Sequence, residues 1–317
     1  MEENRQTKNK VILRGILKEK KIEFKNSKSG KLMGTGKLVV IVDDAMGRSE
    51  VEVKVMQMAN KANGEPNSLF KALQTIENTY KTEEEHGEGN GDYIKVEGSI
   101  EDGTYYSVNK EDFVEKLEIR GVFINRDDRN VNPPCCKVAF ENYLSKITPR
   151  DQGELEVELI GIGYNGVAMP ITAIVPAELT AAFQSRYMVG CTSTLNFSIL
   201  NQVITEQIQE QVGFGVGMGE AITKTIIKRV IFGGSPVEYT NTISEETVRQ
   251  GLAIRAAKLE EKKENAKNSS STNMNVGFGD LSSTGVINTT IPTGQAVFGE
   301  RSTSQVNYAS FPIANFK

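Results

Sequence analysis

The residues able to do chemistry in this chain are few. Its 317 residues include a single histidine, His86, three cysteines and no tryptophan. A Ser-His-Asp triad would depend on His86, which stands in the polar run EEEHGEGNG, a poor place to bury a general base. A zinc site of Cys and His ligands needs four of them, and the four available, His86, Cys135, Cys136 and Cys191, are scattered. Adjacent acids occur at Asp43-Asp44, Asp127-Asp128 and Glu245-Glu246. Metal-assisted or glycosidic chemistry needs acids converging from separate strands; turns and helix starts explain adjacent ones sufficiently. The stretch GFGVGMGE (213–220) lacks the G-K-[ST] of a Walker loop, and a strand pattern rather than a helix follows it, so the Walker and Rossmann readings both fail. The expectation is a protein that is no enzyme and holds neither cofactor nor metal.

What remains is basic and aromatic. Cations along a phosphate backbone and flat side chains under the bases are what hold an unpaired nucleic acid strand. In the first half of the chain the candidates are Arg14, Lys18, Lys20, Lys21, Lys25, Lys28 and Lys31, then Tyr105 and Tyr106 in the loop EDGTYYS, then Arg120, Arg126 and Arg129. In the second half they are Tyr143, Lys146, Tyr164, Phe214, Lys224, Lys228 and Arg229. Phe24, Phe123 and Tyr143 also suit core packing; Tyr105 and Tyr106, flanked by Gly and polar residues, suit stacking better. Net charge is −4, but residues 1–37 hold eleven Lys/Arg against four acids, and residues 81–103 hold eight acids against two Lys. Such a partitioned field steers a polyanion to one face, although solvated surface alone would also account for each run.

These residues must be positioned by strands. KVILRGIL (10–17) onward to Phe24, GKLVVIVDD (36–44), SEVEVKVMQM (49–58), DYIKVEGSI (92–100) and DFVEKLEIRGVFI (112–124) alternate or run apolar as strands do. Between the third and fourth, Leu69, Phe70, Leu73 and Ile76 recur at helical spacing after Pro66. The order repeats after the linker-like RDDRNVNPP: strands over 137–147, 153–164, 166–175, 190–200 and 222–234, with a helix over 176–187 after the third. The fold class expected is mainly β: two OB-like five-stranded barrels in tandem, each with one short helix, although another small β barrel or sandwich would yield the same runs. The divisions expected are a flexible N-terminus (1–9), a first barrel (10–126), a linker (127–136), a second barrel (137–234), a C-terminal helix (235–267) docked on the second barrel, and a disordered polar tail (268–317) holding two acids and two bases.

With paired five-strand units over roughly 10–234, DYIKVEGSI leading into the Tyr105-Tyr106 loop, and a short helix before a long polar tail, the chain resembles single-stranded-DNA-binding proteins of bacteriophage type. The resemblance implies an OB fold, coating and protection of single-stranded DNA in phage replication or recombination, and partner proteins recruited through a tail. The usual bacterial tail is acidic with a hydrophobic tip. This one is neutral and ends FPIANFK, though VGFGD (276–280) and VFGE (297–300), with Phe311 and Phe316, are candidate docking peptides for replication or recombination proteins within 276–317. The alternative is a phage structural or protein-interaction module built on small β domains. MEENRQTKNK has no apolar core of a secretory signal, and no 18-residue apolar run exists, so the expectation is a cytoplasmic protein (host cytoplasm if phage-encoded) that meets no membrane. Three cysteines, two of them adjacent, suggest reduced thiols rather than a disulfide framework.

Overall fold

The computed structural model describes residues 6–211 and 216–272, with side chains for 6–201 and 227–268. The first residues of the expected tail are helical, to Thr272; residues 273–317 with the candidate docking peptides, and Phe214, lie outside the described residues, as does the side chain of Lys224.

The first five long strands are β1 (Asn9–Asn26), β2 (Leu32–Asp44), β3 (Gly47–Met58), β4 (Tyr93–Asp102) and, after a small hairpin of β5 (Tyr105–Ser107) and β6 (Asp112–Val114), β7 (Leu117–Arg126). The expected strand over 112–124 is therefore two. β1 pairs with β2 and with β4, β2 with β3, β4 with β7, and β3 with β7 in parallel, which closes the sheet into a barrel with OB connectivity. Alternation drives this: Leu38, Val40, Val42, Val51, Val53 and Val55 point inward and are buried, while Lys37, Glu52 and Lys54 point out. Strong coiling brings backbones together where no side chain fits. A Cβ on Gly36 would lie 2.0 Å from the Lys21 carbonyl oxygen, and one on Gly98 1.9 Å from that of Arg120.

Helix α1 (Ser68–Thr79) follows β3 and plugs the barrel. Asn67 caps it, its side chain accepting from the Leu69 amide at 3.0 Å, so Pro66 stands one residue before the cap rather than in the first turn. Phe70, Leu73 and Ile76 form its buried face, each contributing roughly 1.5–3 kcal/mol. The four-residue α2 (Glu83–His86) leads to β4.

The second half repeats the order with β8 (Cys135–Pro149), β9 (Leu155–Ile162), β10 (Ala168–Val175), α3 (Ala177–Gln184), β11 (Thr192–Gln211) and β12 (Val216–Gly234). The pairings β8–β9, β9–β10, β11–β12 and β11–β8 repeat those of the first barrel, but the circuit closes on one parallel bridge, Ile174 to Val230. The hairpin backbone of β11 and β12 extends well past the strand ends expected at 200 and 222.

The two halves are joined more tightly than a linker would join them. β8 continues the first sheet, Arg14 opposite Cys135 and Asn9 opposite Phe140, and one core cluster draws on both halves. Cys135 and Cys136 are thus buried strand residues, not part of a connector; burial pushes the Cys136 thiol up to about 12 and keeps it neutral. The N-terminal arm is pinned from Thr7 onward. Its amide and hydroxyl both donate to the Ile162 carbonyl, at 2.8 and 3.1 Å, which shortens the segment expected to be flexible.

Helix α4 (Glu245–Thr272) begins on the second half, where Ile243 and Val248 pack with Ile160, Ile162 and Ala168. It does not stop there, as expected, but runs on to the first barrel. Arg255 Nε donates to Asp102 at 2.7 Å and Lys262 Nζ to the Thr104 carbonyl at 2.7 Å.

Candidate nucleic-acid interface

Strand register assembles a row of cations across the outside of the first barrel. Lys21 on β1 faces Lys37 on β2, Lys37 faces Lys54 on β3, and Lys54 faces Arg120 on β7. Neighbouring strands lie about 4.8 Å apart, so four positive heads cross roughly 15 Å perpendicular to the strands. Each side chain points out because its neighbours Ile22, Leu38, Val53 and Ile119 point in, and the heads are 39% to 68% exposed.

On one side of the row stand carboxylates. Glu19 contacts Lys21 and, at 3.6 Å, Lys37; Glu118 reaches Lys54 at 2.6 Å; Glu101 reaches Arg120 at 3.1 Å. Lys116 bridges Glu52 and Glu118, at 3.2 and 3.6 Å. The hydrogen bond from Lys21 holds the Glu19 carboxyl below the usual carboxylate range, against the partial burial that would raise it. On the other side the surface turns apolar. Thr35 faces Met56 and Met33 faces Met58 across β2–β3, with Met56 exposed. Phe123, on β7 opposite Glu97, is 55% exposed. Ammonium and guanidinium groups beside a thioether and an open ring can contact phosphates and bases together.

Of the residues expected to bind, Lys21 and Arg120 belong to this row, and Lys25, paired with Glu23 at 2.9 Å, stands further out on β1 opposite Met33. Lys28 and Lys31 are exposed at the β1–β2 hairpin, without an ion pair among the described residues. The others are elsewhere, several for structural reasons. Arg14 pairs with Asp127 at 3.0 Å beside β8. Lys18 pairs with Glu50 at 2.5 Å. Lys20 is turned inward, donating to the Tyr80 carbonyl at 2.5 Å and lying 3.4 Å from Glu85, because alternation sends it to the face opposite Lys21. Arg126 ties β7 to α1, with Asp92 at 2.9 Å, the Thr79 carbonyl at 2.7 Å and the Tyr80 ring 4.3 Å beneath. Arg129 lines a shallow concavity with Arg48, Asp43 and Glu88.

Tyr105, 49% exposed, fits the stacking expectation by exposure; Tyr106 packs edge-on against Phe113 at 5.4 Å, with the Lys267 ammonium 5.8 Å above its ring. Among the described residues of the second half nothing comparable to the row assembles. Tyr143 packs against the cluster beneath α4, Lys146 faces Glu158, Tyr164 stands exposed in the β9–β10 turn, and Lys228 is half-buried. Arg229 donates to the Thr172 carbonyl at 3.2 Å, and burial lowers its pKa. The sequence reading missed Lys37 and Lys54, and it weighted Phe123 toward the core. The signals for the lysines were present, since alternation in GKLVV and EVKV turns one lysine outward in each.

Among the described residues no helix is long and apolar enough to cross a membrane, and no group of three or more His, Cys, Asp or Glu could hold a metal ion.

Fold and site together define a mainly β protein with a closed OB-type barrel bearing a cationic outer row. The chain belongs to the YorF family, whose model matches residues 8–265. No curated protein matches it in sequence. Similar solved structures include the single-stranded DNA binding protein from Thermus aquaticus, wild type (12% identity, TM-score 0.46, 77% of this chain and 99% of that chain) and a deletion mutant (12%, 0.45, 76% and 98%). A replication protein A heterotrimer bound to ssDNA is also similar (8%, 0.19, 72% and 50%).

Proposed function

We propose that this protein binds single-stranded DNA across the outer face of its first barrel and acts as a non-enzymatic coat for DNA in phage replication or recombination. The observation that carries the reading is the row Lys21–Lys37–Lys54–Arg120 running beside Met56 and Phe123. Phosphates lie along the row, bases turn toward the thioether and ring, and no base edge is read, so binding tolerates any sequence. The coating role draws support from the resemblance of the chain's layout, barrels followed by a polar tail, to phage-type coat proteins. A second reading, a protein-interaction module, draws on the second half, where β9 turns Glu156 and Glu158 outward and, among the described residues, no cationic row stands beside them.

The test is a titration of the full chain with oligo-dT, duplex DNA and RNA across a salt series. Four phosphates neutralised at about 0.7 each give a log–log slope near −3 for single strands. Absence of oligo-dT binding at low salt would refute the reading, and equal affinity for duplex would refute the preference for unpaired strands.

A further inference from the structure

The cationic row has a shadow. On β1, β3 and β7 the same motif recurs, an acid two residues before the base: Glu19-Lys20-Lys21, Glu52-Val53-Lys54 and Glu118-Ile119-Arg120. A spacing of two keeps acid and base on one face of a strand. Register aligns the copies, with Glu19 and Glu52 both opposite Val39, and Val53 opposite Ile119. A carboxylate row therefore runs parallel to the cationic row, one step down the strands. The contacts are made between the rows: Glu19 takes both Lys21 and Lys37, while Glu118 takes Lys54. The two acids that hold the row are also its least exposed members, with side chains 13% and 16% exposed, so they are fixed rather than waving in solvent.

We propose that Glu19 and Glu118 are built-in competitors for the phosphates, so that the row accepts only ligands presenting several phosphates at once. This rests on the binding reading above. A single phosphate must take a lysine from a carboxylate already positioned beside it and gains little by the exchange. A strand that places successive phosphates along the row displaces the whole set together, and its tethered charges act at high effective concentration. The acids thus set a length threshold and exclude mononucleotides and small anions.

The experiment is fluorescence anisotropy of the full chain with labelled oligo-dT of increasing length, comparing wild type, E19Q, E118Q and the double variant, with E65Q as a charge control. Among the described residues Glu65 has one ion pair, with exposed Lys61, at the turn between β3 and α1. Each of E19Q and E118Q is expected to tighten binding about three- to five-fold, the size of an exposed ion pair removed. The gain should be largest for the shortest oligonucleotides, and the salt slope should steepen. Wild type that binds while E19Q and E118Q bind no better overturns the competitor role and leaves the binding reading standing. E65Q tightening as much as E19Q also overturns it, since net charge would then be the cause. Failure of every form to bind overturns both. E118Q, on a different strand, guards against a local defect at β1 in E19Q, and melting curves identify one.

Discussion

The two halves of the molecule share a frame and differ in what they display. In each, the first strand breaks register at one point, after Leu17 in β1 and after Leu144 in β8. Both leucines are fully buried, and their amides bond the residue just before the fourth long strand of their half, the Asp92 and Cys191 carbonyls. Counting outward from those bulges, the row Lys21–Lys37–Lys54–Arg120 corresponds to Thr148–Glu156–Ile174–Val230. Four cations become none, and Glu156 has Arg150 as its partner at 3.6 Å. Closing a barrel constrains the inward alternate positions; the outward ones are free to diverge. A repeated fold is therefore no evidence of a repeated function.

The frame can be tested first, where the effects are largest. Leu17→Ala and Leu144→Ala each remove a fully buried leucine at the equivalent bulge, and each is expected to cost about 2–5 kcal/mol in denaturant unfolding. Similar costs support one frame used twice. A large cost at Leu17 with almost none at Leu144 would break the equivalence.

Display comes next. Replacing Lys37, Lys54 and Arg120 together by Ala should weaken oligo-dT binding by about 10- to 100-fold and flatten the salt slope by about 2, three contacts at ~0.7 each. Lys146→Ala with Lys228→Ala should change affinity less than about two-fold, because these side chains belong to no row. Phe123→Ala should cost about 1–3 kcal/mol of binding while leaving the slope intact, as expected for stacking rather than charge. Equal losses from the second-half pair would mean that both halves grip the strand.

How much of this was legible beforehand depends on how far apart in the chain the partners are. Alternation in SEVEVKV and GELEVEL marks inward and outward residues without help from tertiary structure. Half of the row follows from local turns. With Asp44 and Gly47 closing the β2–β3 hairpin, counting back places Lys54 opposite Lys37. Arg120, a candidate by its charge, could not be placed in the row this way. Its partner strand β3 lies beyond two helices, another strand and a hairpin, and pairs in parallel, a non-local contact that no turn specifies. Lys20 and Lys21 show the reverse error: adjacent in sequence, they were grouped by charge although a strand sends neighbours to opposite faces. Phe123 was misweighted because the β4–β7 bulge between Glu97 and Gly98 shifts the alternation there. The reach of α4 to Asp102 and Thr104 was invisible, since its apolar stripe fades before the crossing and polar contacts carry it.

The smallest effect separates the halves by pH. Glu19 sits at the bulge position that Lys146 occupies in the second half, so acid-linked behaviour at this place belongs to the first barrel alone. Lys21 holds the folded carboxyl below its ordinary value of 4.5. A depressed pKa means that folding favours the ionised form. The stability it supplies is therefore present above pH 4.5 and is lost as pH falls through the lowered folded value, an effect below about 1 kcal/mol for a surface pair whose lysine stands in solvent. E19Q should flatten that acid limb in melting curves, whereas Lys146→Ala should leave it unchanged. Binding should respond in the same window with opposite sign. Protonating Glu19 releases Lys21 and Lys37 to the phosphates, which stay ionised, and thymine carries no ring nitrogen that titrates there. The ratio of E19Q to wild-type affinity for oligo-dT should thus shrink toward one as the solution is acidified. A ratio that holds constant down to the onset of acid unfolding would mean that the carboxylate does not compete for the row.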